Sequence, residues 1–509
     1  MIDTDDGFVG RLAERAAHDP AGLFARFQGE PITFAELDRC SDSLADWLRR
    51  GGINKGDRVA LMIRNSPTAL ALLFAIGKAG AVWVPVNVQA RGDNLGYVLS
   101  HSAPDRLIAD HDLLPVIEEC GSGLEAERIW TLGLPDAVRA VEPMLDRDAA
   151  FDGPLPAADD LFAIMYTSGT TGKPKGVMVS HRMLRLSGES IALVSGAGEG
   201  DAFHMWEPLF HIGGAQMIVM PLIQPVHLAM SDRFSASGFW HQVRNYGASH
   251  IHFLGGILQI LLKQPPGALD RSHGARIAFG GGCPPDVWRP FEERFGVEIR
   301  ECYGMTEASS VTTFNTRNVA GSVGMPVPWL EVDILGEGGC AVETGKRGEI
   351  VVREKLPGAL TAGYYENPEA SAKVLRGGSL FTGDIGSFDA DGNMYFHGRN
   401  SDNVRVRGEN VTAWEVEHVA AQHPLVEDCA MIGVAAEIGE QEIKLFVKLN
   451  AGSELDPVQL SEWLAGRLAE YQNPRYIAVV EEFERTPSQR IMKHKLSTNV
   501  AEAWERKSV

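Results

Sequence analysis

Apolar residues along the chain alternate between short continuous runs, typical of buried strands, and spaced positions, typical of amphipathic helices. A helix is predicted to begin after Thr33, because Thr33 and Glu36 form a capping-box pattern ahead of regularly spaced apolar residues. A strand is predicted over residues 57–63, a helix begins at Ser66-Pro67, and another strand follows over residues 81–84. The pattern therefore predicts strand–helix–strand units.

The same alternation recurs from residue 200 to about residue 330, which predicts an α/β fold of mainly parallel sheets covered by helices. Short β runs over residues 331–352 predict a small antiparallel section. After Gly398-Arg399 the chain has its own αβ pattern. We therefore expect a large N-terminal domain, residues 1–398, and a small C-terminal α+β domain, residues 399–509.

A segment rich in glycine, hydroxyl and lysine side chains separates two predicted strands, residues 161–166 and 176–180. Glycines let backbone N–H groups approach an anion, hydroxyls donate hydrogen bonds, and lysines neutralise charge. The spacing differs from that of a Walker loop, and Pro174 follows the lysine where a helix would have to begin. The alternative is a surface hairpin rich in turn residues. The candidate phosphate ligands are Thr167, Ser168, Gly169, Thr170, Thr171, Gly172, Lys173 and Lys175.

Composition limits the classes of protein to consider. With 509 residues, of which 44% are apolar, the chain can bury the cores of at least two domains. Its formal charge of 47 − 67 = −20 argues against a nucleic acid or an anionic membrane as the main partner. The six cysteines form no Cys-x-x-Cys pair, and no signal peptide or membrane-spanning run is evident. A cytoplasmic enzyme is expected.

The segment from Tyr166 to Gly176 resembles the phosphate loop of the adenylate-forming superfamily, and the resemblance extends over nearly the whole chain. The resemblance implies that a carboxylic acid is joined to AMP from ATP and that its acyl group then passes to a thiol, usually that of coenzyme A. It also implies that the small C-terminal domain is mobile, with one orientation for adenylation and another for thioester formation.

Two further segments resemble the superfamily's adenine site. Gly280-Gly281-Gly282 and the Glu301-Cys302-Tyr303-Gly304 segment both follow predicted strands, and the resemblance implies that they enclose adenine. Thr306 is then expected to bind the AMP phosphate, and Glu307 to hold Mg²⁺, a cation that prefers oxygen ligands. The alternative is a tight turn with a solvated Glu307.

The resemblance continues towards the C-terminus. Asp384 matches the superfamily's ribose-binding aspartate, and Arg399 matches an arginine that contacts nucleotide oxygens. The hinge position, usually Asp or Lys, holds Ser401. A candidate face for coenzyme A follows it, although its basic residues are also compatible with ordinary solvated surface positions. This face comprises Arg405, Arg407, Gly408, Glu409 and Lys444.

The segment from Pro208 to Gly214 resembles the superfamily's acyl-pocket lining. His211 would pack beside the carboxylate or gate the thiol's entry, although a buried structural histidine is an alternative. Gly213, Gly214 and Gly256 leave room for a bulky or cyclic acyl group. Within the superfamily, residues 239–243 and 408–411 most resemble crotonobetaine/carnitine-CoA ligases.

The catalytic lysine of the superfamily's C-terminal motif is replaced. Its position holds Arg490, and the preceding glycine position holds Gln489. The lysine bridges the substrate carboxylate and the α-phosphate, and one lost donor of this kind costs about 10²–10³ in rate. A longer, forked arginine cannot take a lysine's position without rearrangement. We therefore expect the chain to transfer an acyl group from an acyl-adenylate to coenzyme A while making the adenylate poorly.

Such a division of labour requires a separate adenylating enzyme, and it resembles the non-adenylating acyl-CoA ligases of platensimycin-type diterpenoid biosynthesis. Three alternatives remain open. The chain could be a complete two-step synthetase that uses Arg490 or Lys493, or a catalytically silent AMP-binding regulator. It could also transfer the acyl group to a carrier-protein thiol instead of coenzyme A.

Overall fold

The computed structural model describes residues 7–134, 139–145, 150–167, 173–336, 338–399, 403–406, 409–435, 441–486 and 491–506, with the backbone alone at residues 403, 405, 409 and 410. Within these ranges, no helix combines the length and the apolar character needed to cross a membrane. The contacts between residues divide the chain into two compact units. One comprises residues 1–331 and 352–380, and the other residues 332–351 and 381–509.

The first unit contains two large sheets in which most neighbouring strands are parallel. The nine-stranded sheet has the order β15-β14-β13-β12-β11-β9-β10-β1-β2, with antiparallel strands only at its two ends. Its strands are β1 (Leu23–Phe27), β2 (Glu30–Thr33), β9 (Ala202–Met205), β10 (His227–Met230), β11 (His250–Leu254), β12 (Ile277–Gly281), β13 (Glu298–Tyr303), β14 (Thr313–Phe314) and β15 (Met325–Pro326).

The six-stranded sheet has the order β6-β5-β3-β4-β7-β8, and only β8 runs antiparallel to its neighbour. Its strands are β3 (Arg58–Met62), β4 (Val82–Pro85), β5 (Arg106–Asp110), β6 (Ile129–Leu132), β7 (Leu161–Thr167) and β8 (Lys175–Ser180). Because parallel neighbours need crossover connections, helices separate most of these strands along the chain.

The helices of the first unit begin where local sequence favours them. Ser66 accepts a hydrogen bond from the Ala69 N–H, and Pro67 takes the first helical position. Thr33 accepts from the Glu36 N–H in the same way. The helices are α1 (Gly10–His18), α2 (Phe34–Arg50), α3 (Pro67–Lys78), α4 (Gly92–Ser102), α5 (Leu114–Glu119), α6 (His181–Ser195), α7 (Ile212–Ala215), α8 (Met220–Ile223), α9 (Phe239–Asn245), α10 (Ile257–Lys263), α11 (Pro285–Phe295) and α12 (Pro368–Val374).

A hydrophobic core fixes the strand ends that carry the adenine motifs. Residues of α9, α10 and α11 pack with residues of β11, β12 and β13 in one buried cluster. Trp288 and Phe291 of α11 are fully buried there. Burying one such large side chain stabilises a fold by about 1.5–3 kcal/mol, so these strand ends are held on a rigid support.

A five-stranded sheet has the order β16-β17-β19-β18, with β20 paired to β19, and most of its residues lie in the second unit. Among its described residues, that unit also contains a two-stranded ribbon, a four-stranded sheet in the order β23-β24-β25-β26 and two α-helices. These elements are β16 (Leu330–Leu335), β17 (Gly348–Glu354), β18 (Leu375–Arg376), β19 (Ser379–Phe388), β20 (Met394–Arg399), β21 (Asn403–Val406), β22 (Glu409–Thr412), β23 (Val426–Ala435), β24 (Gln441–Leu449), β25 (Tyr476–Val480), β26 (Trp504–Glu505), α13 (Ala413–Ala421) and α14 (Pro457–Ala465).

The predicted α/β fold, with parallel sheets, helices and a smaller β section, is confirmed. The domain division predicted at Gly398-Arg399, from the αβ pattern that follows it, stays a prediction.

Candidate active site

The predicted phosphate segment lies at the tip of a β-hairpin. Strands β7 and β8 pair antiparallel, with Tyr166 opposite Gly176 and Thr167 opposite Lys175. The Thr167 hydroxyl donates to the Lys175 carbonyl over 3.5 Å. The predicted ligands Ser168, Gly169, Thr170, Thr171 and Gly172 lie outside the described residues.

Both lysines of the hairpin lie over tyrosine rings. The Lys173 ammonium is 4.9 Å from the ring centroid of Tyr97, and the Lys175 ammonium is 5.1 Å from that of Tyr364. A cation over an aromatic face is stabilised by about 0.5–1 kcal/mol at exposed sites. Sequence reasoning missed both tyrosines, since neither belongs to a segment that it singled out.

The glycine run and the tyrosine motif lie at the carboxyl ends of adjacent parallel strands, β12 and β13, with Gly280 opposite Glu301. Close backbone approach explains two of the glycines. A Cβ atom on Gly280 would lie 1.8 Å from the Phe253 carbonyl oxygen, and one on Gly304 would lie 1.7 Å from the Ser310 carbonyl oxygen. Only glycine fits at either position, so this part of the motif is required by the fold whether or not a purine binds.

Glu301 connects the two predicted adenine segments. Its buried carboxylate accepts hydrogen bonds from the backbone N–H groups of Gly282, over 2.6 Å, and Cys283, over 3.1 Å. Burial raises the pKa of Glu301 to about 8, although both hydrogen bonds favour the ionised form. Sequence reasoning gave Glu301 a place beside adenine but did not foresee this bridge.

The raised pKa of Glu301 predicts a pH-dependent contribution to stability. The unfolded chain loses this proton near pH 4.5, whereas the folded chain keeps it until about pH 8. The folded state therefore binds more protons between these values, and the free energy of unfolding falls as pH rises through this window. We expect Glu301→Gln to remove that part of the pH dependence, so that the variant gains stability relative to wild type from pH 5 to pH 8.

Urea unfolding at several pH values measures this difference. The matched control is Glu293→Gln, at an exposed position on α11. A constant stability difference between wild type and Glu301→Gln over the whole window would contradict the assignment.

Thr306 and Glu307 lie in a buried 3₁₀ turn, Thr306–Ala308, that follows β13. The Glu307 carboxylate accepts a hydrogen bond of 2.9 Å from the Tyr364 hydroxyl, and its carbonyl oxygen accepts one from the Thr361 N–H. Tyr364 therefore lies between Glu307 and Lys175 and connects the predicted metal ligand to the phosphate hairpin.

The chemistry of Glu307 fits Mg²⁺. The described residues contain no cluster of three or more His, Cys, Asp or Glu side chains that could hold a metal ion. A Mg²⁺ ion here would depend on the Glu307 carboxylate together with phosphate oxygens of the substrate, which is the way that this cation is commonly bound.

The predicted acyl segment begins a short helix. His211 is the N-cap of α7, and its Nδ1 accepts a hydrogen bond from the Gly213 N–H over 3.1 Å, which leaves Nε2 as the protonated nitrogen of the neutral ring. Gly213 and Gly214 are buried in α7, whereas Gly256 precedes α10. A Cβ atom on Gly213 would lie 3.5 Å from Cε1 of His252. His252 is therefore a neighbour of this segment that sequence reasoning missed.

The predicted ribose ligands are adjacent within the second unit. Asp384 in β19 lies opposite Arg399 in β20, and the Arg399 Nε is 3.3 Å from the Asp384 Oδ1. The Thr382 hydroxyl accepts a hydrogen bond from the Asp384 N–H and donates one to the Ile350 carbonyl, which holds the turn before Asp384. One hairpin thus brings together two residues that the sequence predicted separately.

The structure describes few side chains of the predicted coenzyme A face, and it does not describe the catalytic position, residue 490. Ser401, Arg407, Gly408 and Arg490 lie outside the described residues, and Arg405 and Glu409 are described only by their positions in β21 and β22. Their roles stay predictions.

Lys444 is described, and it is buried rather than exposed to solvent. Its ammonium donates to the carbonyl oxygens of Ser497, over 2.9 Å, and Asn499, over 2.6 Å, and lies 4.4 Å from the Phe446 ring centroid. Burial lowers the pKa of this lysine. These contacts favour a structural role, because a coenzyme A phosphate would have to replace both carbonyls.

Comparisons with known proteins agree with this arrangement of motifs. The family model described as AMP-binding enzyme matches residues 12–365, and that of the AMP-binding enzyme C-terminal domain matches residues 415–490. A crotonobetaine/carnitine–CoA ligase of Salmonella paratyphi A is 30% identical over 95% of this chain and 97% of its own. A sulfoacetate–CoA ligase of Cupriavidus necator is 30% identical over 96% and 97%.

Solved structures extend the agreement to the fold. ATP-bound MatB from Rhodopseudomonas palustris is similar with a TM-score of 0.85 at 26% identity, over 96% of this chain and 97% of that one. The o-succinylbenzoate CoA synthetase from Bacillus subtilis, in complex with its acyl-adenylate intermediate, has a TM-score of 0.84 at 25% identity, over 99% and 100%. The resemblance predicted from the sequence is confirmed: the chain belongs to the AMP-binding enzyme family, as an acid–thiol ligase of the adenylate-forming superfamily.

Proposed function

We propose that this ligase binds an acyl-adenylate and transfers its acyl group to coenzyme A, while making the adenylate from ATP poorly or not at all. The observation that carries the proposal is Gln489-Arg490 in the place of the superfamily's glycine and catalytic lysine. The C-terminal family match extends to residue 490, so the position falls within the region of similarity.

The contacts around this motif also argue against a replacement lysine. Arg485 and Ile491 form an isolated antiparallel bridge on either side of the motif. The Lys493 ammonium lies 2.8 Å from a carboxylate oxygen of Glu417, and Lys495 pairs with Glu484. Each lysine would have to give up an ion pair before it could neutralise an α-phosphate. Arg490 therefore remains the candidate cation for adenylation, and its planar fork is poorly suited to a lysine's point-charge role.

The parts that hold an adenylate are retained in this proposal. Tyr303 and the glycine run would contact adenine, Asp384 and Arg399 the ribose, and Thr306 the phosphate. In the transfer step the coenzyme A sulfur attacks the acyl carbonyl carbon, a C–S bond forms, and the C–O bond to the phosphate breaks. AMP leaves with the bonding electron pair, and the thiol proton passes to solvent.

Two further roles, one of a metal ion and one of a side chain, belong to the same proposal. Mg²⁺, held by Glu307 and phosphate oxygens, would supply positive charge beside the phosphate. His211, in the middle of the acyl segment, would pack beside the substrate carboxylate or gate the entry of the thiol. The bulky or cyclic acyl group of this proposal rests on Gly213 and Gly256, because a Cβ atom on Gly214 would lie 2.3 Å from the Pro208 carbonyl oxygen and backbone packing alone requires that glycine.

The test separates the two half-reactions. Synthetic acyl-adenylates are incubated with coenzyme A without ATP, and the same free acids are incubated with ATP, Mg²⁺ and coenzyme A. We expect acyl-CoA in the first reaction and at least about 10²-fold less in the second, the cost of one lost electrostatic donor. Comparable rates would establish a complete two-step synthetase, and no thioester in either reaction would leave a purely binding role.

A third arm replaces coenzyme A with a phosphopantetheinylated carrier protein. A higher rate with the carrier than with coenzyme A would contradict the proposed acceptor. A separate adenylating enzyme is implied only if the ATP-dependent reaction is slow.

A further inference from the structure

A buried carboxylate–imidazole pair lies beside the acyl segment, and the proposed function does not use it. Glu207 follows β9, and His252 lies in β11, the neighbouring parallel strand. The His252 Nδ1 and the Glu207 Oε1 are hydrogen-bonded. Both side chains are almost completely buried, with exposed fractions of 3% for His252 and 1% for Glu207.

The surroundings of the pair relate it to the predicted acyl pocket. The His252 ring lies 4.9 Å from the ring of Phe279, which precedes the glycine run in β12. Its Cε1 faces Gly213 of α7. The pair therefore lies between the acyl segment and the adenine strand. Glu207 follows the carboxyl end of β9, on the side of a parallel sheet where α/β proteins bind ligands, and His252 lies in the middle of β11.

The pair is held in position by its neighbours. Asn65 donates to the Glu207 carbonyl oxygen over 2.9 Å and accepts from the Leu209 N–H over 3.0 Å. The Trp206 indole N–H donates to the His252 carbonyl oxygen over 3.0 Å. These bonds fix the backbone on both sides of the side-chain contact.

Two polar atoms of the pair lack hydrogen-bond partners among the described residues. The Glu207 Oε2 is inaccessible to solvent and accepts no hydrogen bond from a described residue. No hydrogen bond from the His252 Nε2 to a described residue is present either. A buried pair that serves only stability normally has its hydrogen-bonding capacity satisfied, because unsatisfied buried polar atoms are costly.

We propose that Glu207 and His252 form a hydroxyl-binding subsite of the acyl pocket, and that the acid taken by this enzyme carries a hydroxyl group away from its carboxyl group. This inference rests on the proposed function, which places the acyl group beside α7. A hydroxyl suits the His252 Nε2 in either protonation state, because it donates to the neutral ring and accepts from the protonated one. Glu207 is a positioning residue that fixes the orientation of the ring through Nδ1.

The test uses adenylates of cyclohexanecarboxylic acid and of its cis and trans 3- and 4-hydroxy derivatives, with coenzyme A as acceptor. For wild type we expect kcat/KM to be at least about tenfold higher for one hydroxylated adenylate than for the unsubstituted one. A site that hydrogen-bonds a substrate hydroxyl selects against the analogue that lacks this group. His252→Phe keeps a ring of similar shape, and we expect it to bring this ratio close to one by slowing only the hydroxylated substrate.

Glu207→Gln retains an acceptor for the His252 Nδ1. We expect its ratio of kcat/KM for the hydroxylated and unsubstituted adenylates to lie between those of wild type and His252→Phe, with the change in KM rather than in kcat. The matched control is His250→Phe, a buried histidine two residues earlier in β11 whose Nδ1 contacts Ser249. It should leave the ratio unchanged. A wild-type ratio near or below one for every derivative, or an equal loss on both substrates in His252→Phe, would overturn the proposal.

Binding distinguishes this inference from the proposed function. Calorimetry with the corresponding non-transferable acyl-sulfamoyl adenosines measures the pocket without the transfer step. Hydroxyl preference in binding, lost in His252→Phe, would support the subsite even if no adenylate yielded acyl-CoA. Transfer of the acyl group to coenzyme A without any preference for hydroxylated substrates would support the proposed function and contradict the proposed subsite.

Discussion

Replacing Gln489-Arg490 with Gly-Lys is expected to raise the rate of the adenylation half-reaction by about 10²–10³, because it restores a flexible backbone and a compact charge where pentavalent phosphate develops. The half-reaction is measured in reverse, as ATP formed from pyrophosphate and a synthetic acyl-adenylate that wild type converts to acyl-CoA. This design needs no knowledge of the natural acid, and it uses the same adenylate for both half-reactions.

Three comparisons make the result specific. Transfer of the acyl group to coenzyme A should change little, because the motif acts in the other half-reaction. Arg490→Ala tests whether the arginine supplies any activity, and Lys493→Ala tests the alternative cation, which is paired with Glu417. An unchanged rate of ATP formation in the Gly-Lys variant would show that residues other than 489 and 490 limit adenylation, which would contradict the prediction. A large loss in Lys493→Ala would favour a two-step enzyme.

Local sequence predicted the elements well wherever side chains act on their own backbone. The predicted strands on either side of the phosphate segment are β7 and β8, and Ser66 caps α3. The capping box expected at Thr33 is only half present, since the structure gives the Thr33 contact to the Glu36 N–H alone. A complete box instead precedes α13, at Thr412 and Glu415.

The part of the site that sequence could not predict consists of contacts between segments that are distant in the chain. Tyr364 is hydrogen-bonded to Glu307, which lies 57 residues earlier in the chain, and His252 is hydrogen-bonded to Glu207, which lies 45 residues earlier. No local period or motif encodes such pairs, because they depend on which strands become neighbours. The family resemblance supplied the nucleotide residues, but it contains no information about a pair particular to this chain.

Burial also changed the interpretation of single residues. A lysine on a predicted strand could equally face solvent or the interior, and Lys444 is buried against two carbonyl oxygens. Gly280 and Gly304 were predicted from ligand binding, whereas the backbone packing alone already requires them. A motif position can thus be explained by the fold and still line a ligand site.

Asp384→Ala is expected to lower kcat/KM for the acyl-adenylate by at least about 10²-fold, since hydrogen bonds to a charged group contribute about 1.5–3 kcal/mol each and both ribose hydroxyls would lose their acceptor. The effect should appear mainly in KM for the adenylate, whereas KM for coenzyme A should be almost unchanged. Arg399 keeps its charge but loses the partner that lies 3.3 Å away. Steady-state kinetics with saturating coenzyme A measure the change.

An adenylate that lacks both ribose hydroxyls distinguishes ligand binding from a structural role for Asp384. Wild type should discriminate strongly against this 2′,3′-dideoxy analogue, whereas Asp384→Ala should use the two adenylates at similar rates. Asp391→Asn, at an exposed position in the turn between β19 and β20, serves as the matched control and should keep the discrimination. If Asp384→Ala lost the same factor on both adenylates, the carboxylate would support the hairpin rather than bind ribose, because only a direct contact depends on the hydroxyls.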